Sequence, residues 1–194
     1  MKYRSLHLPL KEKDVCELRA GDRVLLSGKI ITARDMAHRW MAEEKPDEIR
    51  PDLYEGALYH CGPIMLLREG TWICRSAGPT SSTRQEPYQS DIIREYKIRC
   101  IIGKGGMGKK TAEALKTYNA VYLNATGGAA VMYANTVRTV EKVYRLDEFG
   151  MPEALWVMQV EDFPAIVSMD TLGHSLHRYV EEKSRDRIAA MILK

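Results

Sequence analysis

The sequence lacks any apolar run approaching the roughly 20 residues that a membrane-spanning helix needs. Its first ten residues mix Lys2, Arg4 and His7 with apolar side chains, without the continuous apolar stretch of a signal peptide. No membrane partner is expected, and a cytoplasmic location follows. It also lacks close cysteine pairs. Cys16, Cys61, Cys74 and Cys100 stand far apart with no C-x-x-C spacing, so no metal or iron–sulfur site built from this chain alone is expected. Buried free thiols are the expectation instead. A dense basic stripe is missing too. The formal net charge is +3 over 194 residues, which gives no reason to expect nucleic acid. Internal repeats, low-complexity tracts and long linkers are absent. What is present is ordinary for a globular chain: 45% hydrophobic and 28% charged residues. The length suits one core, and a single domain over residues 1–194 is expected.

Strand and helix patterns alternate. "DRVLLSGKIIT" reads as strands around Gly28, and Asp35 to Glu44 as a helix with Met36, Trp40 and Met41 at helical spacing. Lys45-Pro46 stops that helix. "ALYHCGPIML" and "TWICRSAG" read as two strands joined at Arg68-Glu69-Gly70. Pro87 opens a helix whose inner face carries Ile92, Ile93 and Tyr96. "KIRCIIG" is a strand, Lys110 to Tyr118 a helix and "AVYLNATGG" a strand, with a helix from about Ala129. "LWVMQV" and "AIVSMD" are late strands, and the charged tail from Leu176 is helical. This rhythm predicts an α/β fold with a largely buried sheet, and the strand-rich early part suggests a second sheet layer.

Three turns share one design: Gly78-Pro79-Thr80, Gly103 to Gly108, and Thr126-Gly127-Gly128. Each follows a strand and precedes a helix, where backbone N–H groups can meet an anion. Tight turns also demand glycine, so glycine alone does not decide the matter. Cations stand nearby. Arg34 lies at a strand-to-helix junction, Arg84 just past the first turn and Lys104 inside the glycine loop. Arginine's fork suits the planar carboxylates of a dicarboxylate, although each cation taken singly fits a solvated surface residue. "GKGGMGKKT" also invites a phosphate-loop reading, but Lys110 occupies the position where the magnesium-binding hydroxyl is required. Asp170, His174 and His177 are close enough in sequence for a metal, or for a polar helix start.

Seven segments, "SGKIITARDMAHR", "LYHCGPI", "SAGPTSSTR", "IIGKGGMG", "AVYLNATGGAA", "EFGMPEALWV" and "DFPAIVSMDTLGHSLH", resemble in order the β-subunit, or C-terminal domain, of iron–sulfur (class I) fumarate hydratases. The L-tartrate dehydratase β-subunit is nearly as good a match. The resemblance runs from about Leu8 to His177. It implies a swivelling β/β/α domain that closes over a cluster-bearing α-subunit, as a heterodimer or an α2β2 assembly. It implies a [4Fe–4S] cluster on that partner and none on this chain. It implies that Arg34, Arg84 and Lys104 bind the substrate's carboxylates, that Thr80 is the catalytic base, and that His60, Gly105 and Gly106 belong to the site wall. The activity implied is reversible hydration of fumarate to malate. The alternatives are tartrate dehydration and a non-catalytic organic-acid-binding domain of the same fold. Many family members read "GPTT" with a small or apolar residue before the arginine. Ser81, Ser82, Thr83 and Gln85 depart from that pattern and are expected to border the far end of the substrate, which leaves its identity open.

Overall fold

The computed structural model describes residues 3–192. The elements in order are β1 (Arg4–His7), α1 (Glu12–Cys16), β2 (Arg23–Ala33), α2 (Asp35–Glu44), a 3-10 turn (Asp47–Ile49), α3 (Arg50–Leu53), β3 (Ala57–His60), β4 (Ile64–Arg68), β5 (Thr71–Ser76), a second 3-10 turn (Ser82–Gln85), α4 (Glu86–Tyr96), β6 (Cys100–Gly103), α5 (Lys109–Thr117), β7 (Val121–Asn124), α6 (Ala130–Ala134), β8 (Val137–Tyr144), α7 (Leu146–Phe149), β9 (Leu155–Met169) and α8 (Leu176–Ile192). The main sheet runs β1-β2-β3-β6-β7-β9-β8, and β2 also pairs antiparallel with β9. That extra pairing closes β2, β3, β6, β7 and β9 into a five-stranded, barrel-like sheet. Neighbours among β2, β3, β6 and β7 are parallel, so their C-terminal ends emerge together. The fold is therefore mixed α/β, with sheets and helices, as the alternating pattern predicts.

The strands bury both faces, and alternate residues serve different cores. Tyr59, Ile102, Leu123, Trp156 and Met158 join one core, which the β4–β5 hairpin covers through Met65 and Trp72. Ile31, Leu58, Ile101, Tyr122 and Val157 join the other, beneath Trp40 and Met41 of α2, Ile92, Ile93 and Tyr96 of α4, and Leu115 of α5. Trp72 meets Trp156 edge-on at 4.9 Å between centroids. Trp72, half-buried against the core, thereby ties the hairpin to the barrel.

Several expectations needed revision. "ALYHCGPIML" is two strands, β3 and β4, in different sheets. Gly62-Pro63 separates them because proline cannot donate to a ladder. "LWVMQV" and "AIVSMD" form one 15-residue strand, β9. Asp162, at φ 53, makes the local irregularity that carries the chain past Pro164, and pairing with β2, β7 and β8 keeps it extended. Met36 is 47% exposed. It stands in the first turn of α2, level with the strand end, so only Ala37, His38, Trp40 and Met41 face inward. The amphipathic strand β8 is absent from the sequence reading, since its inner face holds only half-buried residues. No helix of the described residues is long and apolar enough to cross a membrane.

Candidate functional site

The segments that leave β2, β3, β6 and β7 begin with Arg34, Cys61, Lys104 and Ala125. Ligands of α/β sheets characteristically bind outside such carboxyl ends. The segment after β5 is laid across this rim. Cys61 bridges to Pro79 and Ser81 bridges to Lys104, so Thr80 sits between two short pairings. Thr80 N–H donates to His60 O at 2.8 Å, Ser82 N–H to Lys104 O at 3.0 Å, Ala125 N–H to Gly103 O at 2.7 Å and Ala77 N–H to Ala130 O at 3.0 Å. The three glycine turns are thus stitched side by side.

Each candidate cation has a distinct environment. Arg34 occupies the N-cap position of α2 in extended conformation, and its side chain passes over Gly62, where a Cβ would lie 2.4 Å from Arg34 Cδ. Only glycine leaves that path open. Arg34 Nε lies 3.5 Å from Glu153 Oε1, and Glu153 Oε2 also accepts the Met36 N–H at 3.0 Å. Arg84 pairs with Asp35, whose other oxygen accepts Gln85 Nε2–H at 2.7 Å. Lys104 runs alongside Gly127, whose Cβ position is 3.9 Å from Lys104 Nζ. Among the described residues no carboxylate forms an ion pair with Lys104. Two of the three cations therefore already share their charge with internal carboxylates, while Lys104 has no such partner among the described residues.

Behind the rim lies a buried polar layer. His38, His60, Ser82, Gln85 and Gln89 are all 0% exposed. His60 Nδ1 lies 2.8 Å from Ser82 Oγ and Nε2 lies 2.7 Å from Gln89 Oε1. Burial pushes His38 down to about 4, and burial, then the neighbouring His38, pushes His60 well below the ordinary histidine range. Both rings are neutral at physiological pH. His60 is thus not a surface wall of the site; it stands behind Thr80 and holds that residue through its own carbonyl. Ser82 and Gln85 are equally buried, so they do not border a ligand; of the four departures, Ser81 and Thr83 are exposed. Gly105 is exposed, whereas Gly106 is packed against the His177 ring.

The phosphate-loop reading does not survive. The N-terminus of α5 already holds an anion, the Glu86 carboxylate. It accepts Gly108 N–H at 2.7 Å, Thr111 N–H at 3.2 Å and Thr111 Oγ1–H at 2.7 Å. A phosphate would have to displace it. Lys109 and Lys110 are exposed. Asp170 is likewise committed: Oδ1 accepts the Leu172 and His174 N–H groups, while Oδ2 accepts Ala20 N–H and meets His174 Nδ1. His177 Nε2 lies 3.1 Å from Ser168 Oγ. Among the described residues no group of three or more His, Cys, Asp or Glu side chains is arranged to hold a metal ion. Sequence reading missed Asp35, Glu86, Gln89 and Glu153. His38 had a usable signal, since it stands one helical turn after Arg34. The others act across long sequence separations.

Residues 2–180 match the family described as Fumarase C-terminus. A provisionally named class I fumarate hydratase of Geobacillus stearothermophilus is 46% identical over 186 residues, covering 95% of this chain and 35% of that protein. A provisionally named L(+)-tartrate dehydratase β subunit of Methanocaldococcus jannaschii is 45% identical, covering 94% of this chain and 95% of that one. The L(+)-tartrate dehydratase β subunit of Escherichia coli K12 is 39% identical over 172 residues, covering 88% and 85%. The chain thus spans about a third of the first relative and most of the other two. It belongs to the Fumarase C-terminus family.

Proposed function

We propose that this chain is the β-subunit of a hydro-lyase that interconverts fumarate and malate, active only with an α-subunit. The observation that carries this reading is the stitching of the Thr80 segment between the ends of β3 and β6. In this reading Arg34, Thr80, Arg84 and Lys104 share one rim. Fixed cations at such a rim match the charge that develops in this chemistry. Removing a proton beside a carboxylate builds a dianion, and cations that meet it more strongly than the ground state accelerate the step. Arg34, Arg84 and Lys104 would hold the carboxylates. Thr80 would take the proton, with Lys104 and Arg84 favouring its ionised form. The internal partners Glu153 and Asp35 hold the two arginines in place before a substrate arrives.

In this reading a [4Fe–4S] cluster would sit on the α-subunit, where it would supply Lewis-acid polarisation of the leaving hydroxyl. Of this chain's own cysteines, Cys61 and Cys100 are buried and Cys16 and Cys74 half-buried. A domain that swivels over that subunit, in a heterodimer or α2β2 assembly, would bring the rim to the substrate.

The test is to co-express the chain with a cysteine-bearing α-subunit, rebuild the cluster without oxygen, and assay fumarate, malate, L-tartrate and D-tartrate. Turnover of fumarate and malate is expected. Turnover of a tartrate alone reassigns the substrate, as the names of two of the relatives suggest. Binding of these acids without turnover leaves the organic-acid-binding reading.

A further inference from the structure

We infer that Tyr122, Ser82, His60 and Gln89 form one directional hydrogen-bonded relay that fixes Thr80 and Lys104 relative to one another. These four are positioning residues, and the inference rests on the hydro-lyase reading only for its kinetic consequence.

The direction follows from the tyrosine end. Tyr122 O–H donates to Ser82 Oγ at 2.8 Å. The Ser82 hydroxyl proton is then given to His60 Nδ1 at 2.8 Å. With Nδ1 accepting, the fully buried and neutral ring carries its proton on Nε2 and donates it to Gln89 Oε1 at 2.7 Å. Turning His60 over would set two donors on Ser82 Oγ and leave the serine proton without an acceptor. His38 stands beside this relay and outside it: its Nδ1 donates to the Arg34 carbonyl oxygen at 2.7 Å, while His38 Nε2, Gln85 Oε1 and Gln89 Nε2 have no partner.

The relay touches the segments that carry Thr80 and Lys104. His60 holds Thr80 through a main-chain bond of 2.8 Å, and Ser82 holds Lys104 through one of 3.0 Å. A separate observation marks the space as reserved. A Cβ at Gly103 would lie 1.9 Å from Ser82 Oγ, 3.0 Å from Tyr122 Oη and 3.1 Å from His60 Nδ1. Glycine is required there because three relay atoms crowd its α-carbon.

The test uses the full chain and then the reconstituted complex. Nitrogen-15 NMR of the full chain should show His60 protonated at Nε2 and His38 at Nδ1, with neither ring titrating between pH 8 and pH 6. The opposite tautomer at His60, or an averaged mixture, overturns the relay. Tyr122→Phe removes one hydroxyl and keeps the ring, and should move the His60 resonances; unmoved resonances overturn the coupling. Gln89→Met should shift or broaden the amide signals of Thr80 and Lys104 while sparing those of β8. Unmoved rim signals overturn the positioning role even if the complex proves inactive. In an active complex, Gln89→Met should lower kcat by roughly 10- to 100-fold, the scale seen when groups orienting a site are removed. Gln89→Glu, which keeps the acceptor for His60, should recover part of that loss. Wild-type kcat in Gln89→Met, with rim signals shifted, would also overturn the role. A complex inactive in the wild type bears on the hydro-lyase reading alone.

Discussion

Acidification should destabilise this protein well before its carboxylates titrate, because two imidazoles are buried without charge. The perturbation is a fall from pH 8 to pH 5. His38 is held down to about 4 by burial, and His60 lies well below the ordinary range for the same reason. In the unfolded chain both titrate near an ordinary value of about 6.5. The unfolded state therefore binds more protons than the native state between these limits, so stability is fully present above about pH 6.5 and is lost as pH falls. His38 then removes about 2 kcal/mol at pH 5 relative to pH 8, since a tenfold difference in proton affinity between the two states corresponds to about 1.4 kcal/mol, and His60 adds a loss of the same sign. That is a large part of the roughly 5–15 kcal/mol that holds a domain folded. The lowered carboxyl groups of Asp52 and Asp170 add their own loss only below the ordinary aspartate range. His177, lowered mainly by partial burial, adds a smaller contribution of the same sign. Urea unfolding at several pH values reads the slope directly. His38→Gln should be less stable than the wild type at pH 8 yet lose about 2 kcal/mol less on acidification. Equal wild-type stability at pH 5 and pH 8 would refute the reasoning, as would an unchanged pH slope in His38→Gln.

Three further outcomes are expected. In the reconstituted complex, Arg84→Met and Lys104→Met should each lower turnover by about 30- to 1000-fold, equivalent to about 2–4 kcal/mol of lost charge stabilisation. Lys109→Met and Lys110→Met should change little, and a Lys109→Met loss as large as that of Lys104→Met would sink the dicarboxylate reading of this loop. Glu86→Ala strips the acceptor from three donors at the start of α5 and should cost about 2 kcal/mol in urea unfolding; an unchanged midpoint would mean that the carboxylate does not cap this helix. The isolated, metal-free chain should be folded by circular dichroism yet hydrate no fumarate, and measurable hydration would contradict the need for a partner.

Much of this protein was legible in its sequence where the causes are local. Period-two and helical patterns identify β2, β3, β6, β7, α2, α4 and α5 because each element buries a face of its own residues. Pro87 and Lys45-Pro46 mark helix ends through backbone geometry alone. The sequence also determined which residues could meet an anion, since Arg34, Thr80, Arg84 and Lys104 all lie just beyond strand ends or in the turns beside them. Only the tertiary structure decided which of them meet. The closure of β2 on β9, the bridge of Ser81 to Lys104 and the seating of Glu86 on α5 join residues far apart in the chain. Such pairings depend on which buried donor finds which acceptor, and no local pattern encodes that. The same logic turned Ser82, Gln85 and His60 from candidate site-lining residues into a buried layer behind it. A polar side chain reads alike in sequence whether it faces a ligand or another buried polar group, and burial alone distinguishes the two.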